Sequence, residues 1–305
     1  MNSPTLSTAP CAGLRQTTFL SLALLAVLAA GCATAQRPGH SALRQALTFY
    51  ASFDGGTDAD FAAGDRRLYS AASMKHPRVG TPGLPAGGHV TLAQGQGRFG
   101  DALRFHKKSA EMVFFKAEQN VAYRPNNWNG TVSLWLRVDP ATELAPSFCD
   151  PIQITPRDWN DAAFFVEFEK RPESIPFRLG AYADLKVWNP QNRDWGAIPF
   201  AEKPLVHIEK PPFGGARWTH VVFTWQHFNT GQPDGVATLY LDGQLAGALS
   251  PRVQTFTWDP AQTLVMLGLS YIGLWDELAI FDRALSPQDV QALYELEGGV
   301  RALLK

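Results

Sequence analysis

The feature that most constrains the fold is a series of short segments in which apolar and polar side chains alternate. Residues 131–138 show it most clearly, with four aliphatic side chains on one side: Val132, Leu134, Leu136 and Val138. A period of two is what a strand with one buried face requires. The pattern recurs at residues 164–169, 219–225, 237–241 and 271–281, and Asp242-Gly243 is a hairpin signal. These short strands predict an all-β, antiparallel sandwich.

One short helix is predicted near the C-terminus, over residues 287–296. Ser286 can cap it, Pro287 suits its first position, and Asp289 completes a capping box. Its apolar face is formed by Val290, Leu293 and Tyr294. Two long polar stretches, residues 55–97 and 189–215, are expected to be loops or short extra strands over the sandwich, where specificity would lie.

The N-terminus predicts export. Arg15 precedes an apolar run over residues 19–30, which suits the core of a signal peptide and is short for a bilayer span of about 20 residues. Residues 1–31 are therefore expected to be a cleaved signal peptide. They are followed by a tether over residues 32–43 and a single domain over residues 44–305.

Two cleavage signals compete at the end of the apolar run. Residues 28–31 followed by Cys32 resemble a bacterial lipobox, in which the cysteine becomes the acylated first residue of a lipoprotein. Residues 33–35 (Ala-Thr-Ala) offer an ordinary A-x-A site. The favoured expectation is an envelope lipoprotein anchored to the membrane through Cys32, on the periplasmic or outer-membrane face. The alternative is a secreted protein.

The cysteine content indicates how the fold is stabilised, and the net charge indicates which binding partners are disfavoured. Of the three cysteines, Cys11 leaves with the signal and Cys32 is acylated or removed, so Cys149 has no intramolecular partner and is expected to be buried. The fold must then be held by its core, for which a hydrophobic content of 45% suffices. A net charge of -1 argues against nucleic acid or acidic lipid as the main partner.

Four segments in order resemble the laminin-G-like jelly-roll domains of the concanavalin A-like lectins and glucanases. They are GRFGDALRF (97–105), GTVSLWLRV (130–138), the stretch 218–247 and YIGLWDELAIFDRALSPQDVQALYE (271–295). This resemblance implies a jelly-roll sandwich with one short C-terminal helix and a mainly binding role. We expect a non-catalytic module that recognises carbohydrate. The alternatives are a protein-binding, adhesion or scaffold lipoprotein and, second, a glycoside hydrolase.

The hydrolase alternative depends on Glu167 and Glu169. With Phe164, Val166 and Phe168 toward the core, both carboxylates project from the other face, roughly 7 Å apart. Such a spacing suits the two carboxylates of a glycosidase. The related glucanases carry Glu-x-Asp-x-Glu, whereas this strand lacks the Asp and has Arg171 at the next alternate position. A solvated strand face is the favoured interpretation, and catalysis is not expected.

The best candidate for a ligand site is the aromatic and polar loop WNPQNRDW, residues 188–195. Its indoles can stack on a sugar face, while its amides and charges bind hydroxyl groups. The candidate residues are Trp188, Asn192, Arg193 and Trp195, together with Trp159 from an earlier loop. The alternative is that these tryptophans only anchor long loops. Trp135, Trp218 and Trp225 are expected to be packing residues.

Metal binding has a weaker sequence signal. The seven histidines lack the spacing of a zinc site. The resemblance suggests Ca²⁺ held by Asp54, after the first strand, and Asp276, in the last. The alternative is that Asp276 and Glu277 only bind loop amides.

Overall fold

A computed structural model describes residues 38–73 and 79–305. The predicted signal peptide, its cleavage sites and Cys32 lie outside these residues. Within the two described ranges, we find no helix with the length and apolar character needed to cross a membrane.

The described chain is mostly β structure. In chain order its strands are β1 (Leu47–Ala51), β2 (Phe61–Ala62), β3 (Tyr69–Ala71), β4 (Thr81–Pro82), β5 (Val90–Ala93), β6 (Ala102–Phe105), β7 (Met112–Lys116), β8 (Trp128–Arg137), β9 (Ser147–Thr155), β10 (Ala163–Lys170), β11 (Phe177–Tyr182), β12 (Leu205–Ile208), β13 (Thr219–Phe228), β14 (Val236–Leu241), β15 (Gln244–Ala248), β16 (Leu264–Leu269) and β17 (Gly273–Phe281). Its helices are α1 (Pro38–Ala46), α2 (Leu185–Trp188) and α3 (Pro287–Tyr294). Short 3-10 turns follow at Trp195–Ala197, Phe200–Glu202 and Val300–Leu304.

The strands form two antiparallel sheets. The first has the order β15-β14-β13-β8-β17-β1-β2, with β6 also pairing with β17 and β5 with β6. The second has the order β12-β11-β10-β9-β16-β7-β3-β4. Neighbours that are far apart in sequence, such as β1 and β17, are paired in both sheets, as expected of a jelly-roll sandwich. The predicted fold class is confirmed.

The core between the sheets is built from the alternating side chains that the sequence indicates. Val132, Leu134 and Leu136 of β8 are fully buried in it. The aromatic centre contains Trp128, Trp225 and Phe164, and Trp128 meets Trp225 edge to face with 5.0 Å between ring centroids. Gly130 makes room for this packing, since a Cβ atom there would lie 2.1 Å from the Trp225 ring.

The C-terminal helix is confirmed as α3, with both halves of its capping box formed. The Ser286 hydroxyl accepts from the Asp289 amide, and the Asp289 carboxylate accepts from the Ser286 amide. Val290 and Leu293 are buried beneath it. Cys149 is buried, as expected.

Helix α1 corrects the predicted start of the folded domain. Residues 38–43 were expected to belong to a tether, but α1 begins at Pro38 and Leu43 is fully buried. Leu43 and Ala46, three residues apart on one helical face, pack with Leu293 of α3 and with Val300. The folded domain therefore begins before residue 44, and α1 and α2 accompany the one helix that was predicted.

Candidate functional site

A cleft of about 360 Å³ lies on the outer face of the second sheet. Strands β9, β10 and β11 form its floor, and two loop tryptophans stand at its side. It is lined by Phe148, Asp150, Gln153, Trp159, Phe165, Glu167, Arg178, Trp195, Leu269 and Ser270. Aromatic walls over a charged floor make it a candidate binding site for a small ligand.

The alternation of β10 explains why charged side chains reach this floor. Phe164, Val166 and Phe168 are buried in the core, so the side chains between them project from the opposite face of the sheet. Glu167 therefore reaches the cleft, and it lies directly across from Arg178 of β11. Glu167 and Glu169 project from one face, as predicted, but the expectation of a solvated strand face is wrong, since both side chains are largely shielded from solvent.

Arg178 holds both of these glutamates. Its Nη2 lies 2.5 Å from Glu167 Oε1 and its Nη1 lies 2.8 Å from Glu169 Oε2. The Arg178 side chain is only 6% exposed, which strengthens its charged hydrogen bonds. Arg171 also binds Glu169, at 2.5 Å. The two carboxylates are thus members of an ion-pair network, and Glu169 is shared by two arginines.

Asp150 enters the floor because of an irregularity in the pairing of β9 with β10. Ile152 lies opposite Val166, but Cys149 lies opposite Phe168. Two residues of β9, Asp150 and Pro151, therefore face the single residue between them on β10. A bulge of this kind re-aims the side chains next to it.

The Asp150 carboxylate differs from its neighbours in having no partner. It is partly exposed to the cleft, and within residues 38–73 and 79–305 it accepts no hydrogen bond and joins no ion pair. Burial, and then the charge of Glu167, raise its pKa well above the ordinary value. Burial also raises the pKa of Glu167 to about 7, although Arg178 acts in the opposite direction.

Aromatic rings form the walls of the cleft. Trp159 is 45% exposed and meets the half-buried Trp195 edge to face, with 5.6 Å between centroids. The Phe165 ring covers Gly180, where a Cβ atom would lie 2.2 Å from it. The Phe148 ring lies over the Arg178 guanidinium, with 5.1 Å from Cζ to the ring centroid.

Some of the ligand residues predicted from the sequence line the cleft in the structure, and others do not. Trp159 and Trp195 line the cleft. Trp188 lies behind them: its Nε1 donates to the Asn160 carbonyl at 2.8 Å, and its ring packs edge-on against Tyr182. The predicted anchoring role of loop tryptophans therefore describes Trp188 best.

The two polar residues predicted with them do not line the cleft. Asn192 is an exposed residue in a left-handed turn, with φ of 50°. Arg193 is bound to Glu202, with 2.6 Å between Nη2 and Oε2. The cleft instead uses Asp150, Gln153 and Arg178, which the sequence analysis did not identify. No local pattern marks them, because they meet only through the pairing of β9, β10 and β11.

The predicted calcium ligands, Asp54 and Asp276, both hold the loop over residues 97–101. Asp276 Oδ2 accepts from the amides of Arg98, at 2.7 Å, and Phe99, at 3.3 Å. Asp54 accepts from the amide of Asp101 at 2.7 Å. Across the described residues, no group of three or more His, Cys, Asp or Glu side chains is placed to hold a metal ion. Calcium binding stays a prediction, and the observed contacts are structural.

The fold is a two-sheet jelly-roll sandwich with a cleft on one outer face, an architecture found in lectin-like proteins. The family model described as the concanavalin A-like lectin/glucanases superfamily, laminin-G type, matches residues 115–291. This is more than half of the chain, and the chain belongs to that superfamily.

Two solved structures to which the chain is similar are the following. The binding domain of botulinum neurotoxin DC in complex with SialylT is 13% identical, with a TM-score of 0.53 over 83% of this chain and 52% of the other. Domain 4 of AbnA, a GH43 extracellular arabinanase from Geobacillus stearothermophilus, in complex with arabinotriose, is 19% identical, with a TM-score of 0.42 over 80% of this chain and 96% of the other. The chain thus spans about half of the neurotoxin domain. None of the curated proteins compared with it matches.

Proposed function

We propose that this protein is a non-catalytic binding module of the bacterial cell envelope that recognises carbohydrate in the cleft on the second sheet. One observation carries this proposal. Two indole rings, the exposed Trp159 and the half-buried Trp195, line a cleft whose floor offers a carboxylate, an amide and a guanidinium, from Asp150, Gln153 and Arg178. Aromatic rings stack on the apolar face of a sugar, and fixed polar groups bind its hydroxyls.

Both similar solved structures hold ligands, SialylT in the neurotoxin domain and arabinotriose in the arabinanase domain. Because the identities are low, the likeness concerns the fold, and the sugar-binding proposal depends on the residues of the cleft. Protein binding or adhesion is the alternative for the same surface.

Export and lipid anchoring at Cys32 belong to the same proposal. The apolar run over residues 19–30 and the lipobox-like residues 28–31 support them. The Cys32→Ala variant is expected to leave the membrane fraction of expressing bacteria, whereas the parent chain stays with the membranes.

The cleft is proposed to bind and not to hydrolyse. Glu169 is held by both Arg171 and Arg178, so it is occupied where a hydrolase would need a free nucleophile or base. The expected result is that no reducing sugar is released from any glycan that binds. Release that is lost in the Glu167→Gln variant would support the hydrolase alternative instead.

The experiment that tests the proposal is a glycan array followed by affinity measurements on the full chain. We expect a defined glycan class to bind and the Trp159→Ala variant to weaken its affinity about tenfold, the size of one lost aromatic contact. The matched control is Trp218→Phe. Trp218 packs on Ala93, Ala102 and Leu274 of the other sheet, so this change should leave affinity unaltered. A blank array would overturn the proposal in favour of a protein partner, and equal losses in both variants would remove the cleft from it.

A further inference from the structure

Asp150 is the acid on the floor of the cleft that lies outside the ion-pair network of Arg178. Its carboxylate faces the cleft without a hydrogen bond or an ion pair from the described residues. A carboxylate removed from water is costly unless a donor or a cation compensates it. Burial and the charge of Glu167 raise its pKa well above the usual range, and the charge of Arg178 acts in the opposite direction.

The cations around the cleft are already occupied. Arg178 is bound to Glu167 and Glu169, and its Nε is buried with no hydrogen-bond partner among the described residues. Arg171 is bound to Glu169. Lys203 places its ammonium 4.0 Å from the centroid of the Trp195 ring. Among the described residues that line the cleft, Asp150 is therefore a carboxylate with no cation paired to it.

Two aromatic rings in the walls of the cleft make cation–π contacts. Lys203 lies over Trp195, and the Arg178 guanidinium lies over Phe148. Aromatic faces attract cations, more strongly when the cation is shielded from water. Trp159, which is 45% exposed, presents a further indole in the cleft that Asp150 also lines.

We propose that the cleft selects saccharides that carry a protonated amino group, with the ammonium bound between Asp150 and Trp159. This inference rests on the proposed carbohydrate-binding function and specifies its ligand class. A sugar hydroxyl satisfies the hydrogen bonding of a carboxylate but leaves its charge. An ammonium donates up to three hydrogen bonds and also cancels the charge.

A 2-amino sugar such as glucosamine carries the required ammonium directly on its ring. An N-acetylated sugar keeps the same ring and hydroxyls but has lost the charge, so it is the matched comparison ligand.

The test compares the glucosamine tetramer with the N-acetylglucosamine tetramer on the full chain, by calorimetry at about pH 6, where amines are protonated. We expect the amine form to bind about tenfold more tightly, or better, because a hydrogen bond to a charged group is worth roughly 1.5–3 kcal/mol. In Asp150→Asn the two tetramers should bind with equal affinity. Asp158→Asn removes the same charge from the exposed residue next to Trp159 and should keep the preference.

Proton release gives a second readout that needs no variant. Because burial raises the pKa of the Asp150 carboxyl, an ammonium that binds there should displace a proton wherever the free carboxyl holds one. Binding enthalpies measured in two buffers of different ionisation enthalpy should therefore report net proton release for the amine tetramer and none for the acetylated one.

The outcomes separate the two levels of the proposal. Equal affinities for the two tetramers, with neutral glycans still bound at the cleft, would overturn the amino-sugar inference and leave the carbohydrate function standing. A preference for the amine that survives in Asp150→Asn would also overturn it. If no saccharide of any kind binds, the proposed function fails and the inference fails with it.

Discussion

Carboxylates with raised pKa values occur in two regions of this sandwich, and their surroundings are opposite. On β17, Asp276 accepts backbone hydrogen bonds from Arg98, Phe99 and Glu277. Glu277 accepts from the Tyr50 hydroxyl at 2.5 Å and from the Val300 amide at 3.0 Å. On the floor of the cleft, Asp150 has no such partner among the described residues.

This difference distinguishes the structural acids of β17 from Asp150, the acid that we propose binds a ligand. The acids of β17 are closed off from solvent, and their contacts tie the loop over residues 97–101 and the C-terminal turn to the first sheet. Folding has satisfied their hydrogen-bonding capacity. Asp150 loses hydration on folding, and no hydrogen bond from the described residues offsets that loss. This is expected of a group whose partner arrives with a ligand.

The largest expected effect concerns Arg178, the arginine that binds both Glu167 and Glu169. The Arg178→Met variant leaves Glu167 and Glu169 without their shared cation. It should lower the free energy of unfolding by about 3 kcal/mol or more, as for other broken buried pairs. Urea denaturation measures this.

The matched control is Arg193→Met. Arg193 pairs with Glu202, but both side chains are well exposed, so the loss should be below about 1 kcal/mol. Equal losses in the two variants would contradict the view that the cleft network is buried.

The next effect compares the two kinds of acid directly. The Asp276→Ala variant leaves three amide donors without an acceptor and should lose about 2–3 kcal/mol of stability. Asp150→Ala removes a carboxylate that accepts no bond from the described residues, so it should cost little or should stabilise the fold. A larger loss in Asp150→Ala than in Asp276→Ala, by urea denaturation, would reverse our assignment of the two regions.

A smaller effect is a pH dependence of stability. Burial raises the pKa of Asp276 from 3.8 to about 9 and that of Glu277 from 4.5 to about 7. Between the ordinary and the raised values, the folded chain keeps protons that the unfolded chain has released. The contribution of these groups to stability is therefore complete below about pH 4 and is lost as pH rises through about 7 and about 9.

For each such group the free energy of unfolding should fall by at most about 1.4 kcal/mol per pH unit over that window. Unfolding curves at a series of pH values, with Asp276→Asn as the comparison, measure the share of Asp276. The difference between the two chains should grow in favour of the variant as pH rises. A difference that stays constant from acid to alkaline pH would show that Asp276 does not titrate as its burial requires.

Local patterns in the sequence predicted what depends on a single strand or helix. The alternation in residues 131–138 identified the core side of β8, and that in residues 164–169 placed Glu167 and Glu169 on the opposite face. Ser286 and Asp289 located the start of α3, because a capping box is formed within four residues.

The rest of the fold and of the candidate site depends on contacts between segments that are distant in sequence, which no local sequence pattern shows. Arg178 meets Glu167 because β11 pairs with β10, and Asp150 faces the same point because of the bulge in β9. The short helix α1 was missed because it is stabilised by packing against α3 and Val300. The exposure of Trp159 and the shielding of Trp188 follow from how two loops lie over the sheet, which no local pattern indicates.

The most direct test of the central claim is a crystal structure of the full chain with the saccharide that binds it best. Our account predicts a sugar ring in contact with Trp159 and Trp195, above the floor formed by Asp150 and Arg178. A saccharide bound on the outer face of the first sheet, or at the loop around Asp54, with the cleft empty, would contradict it.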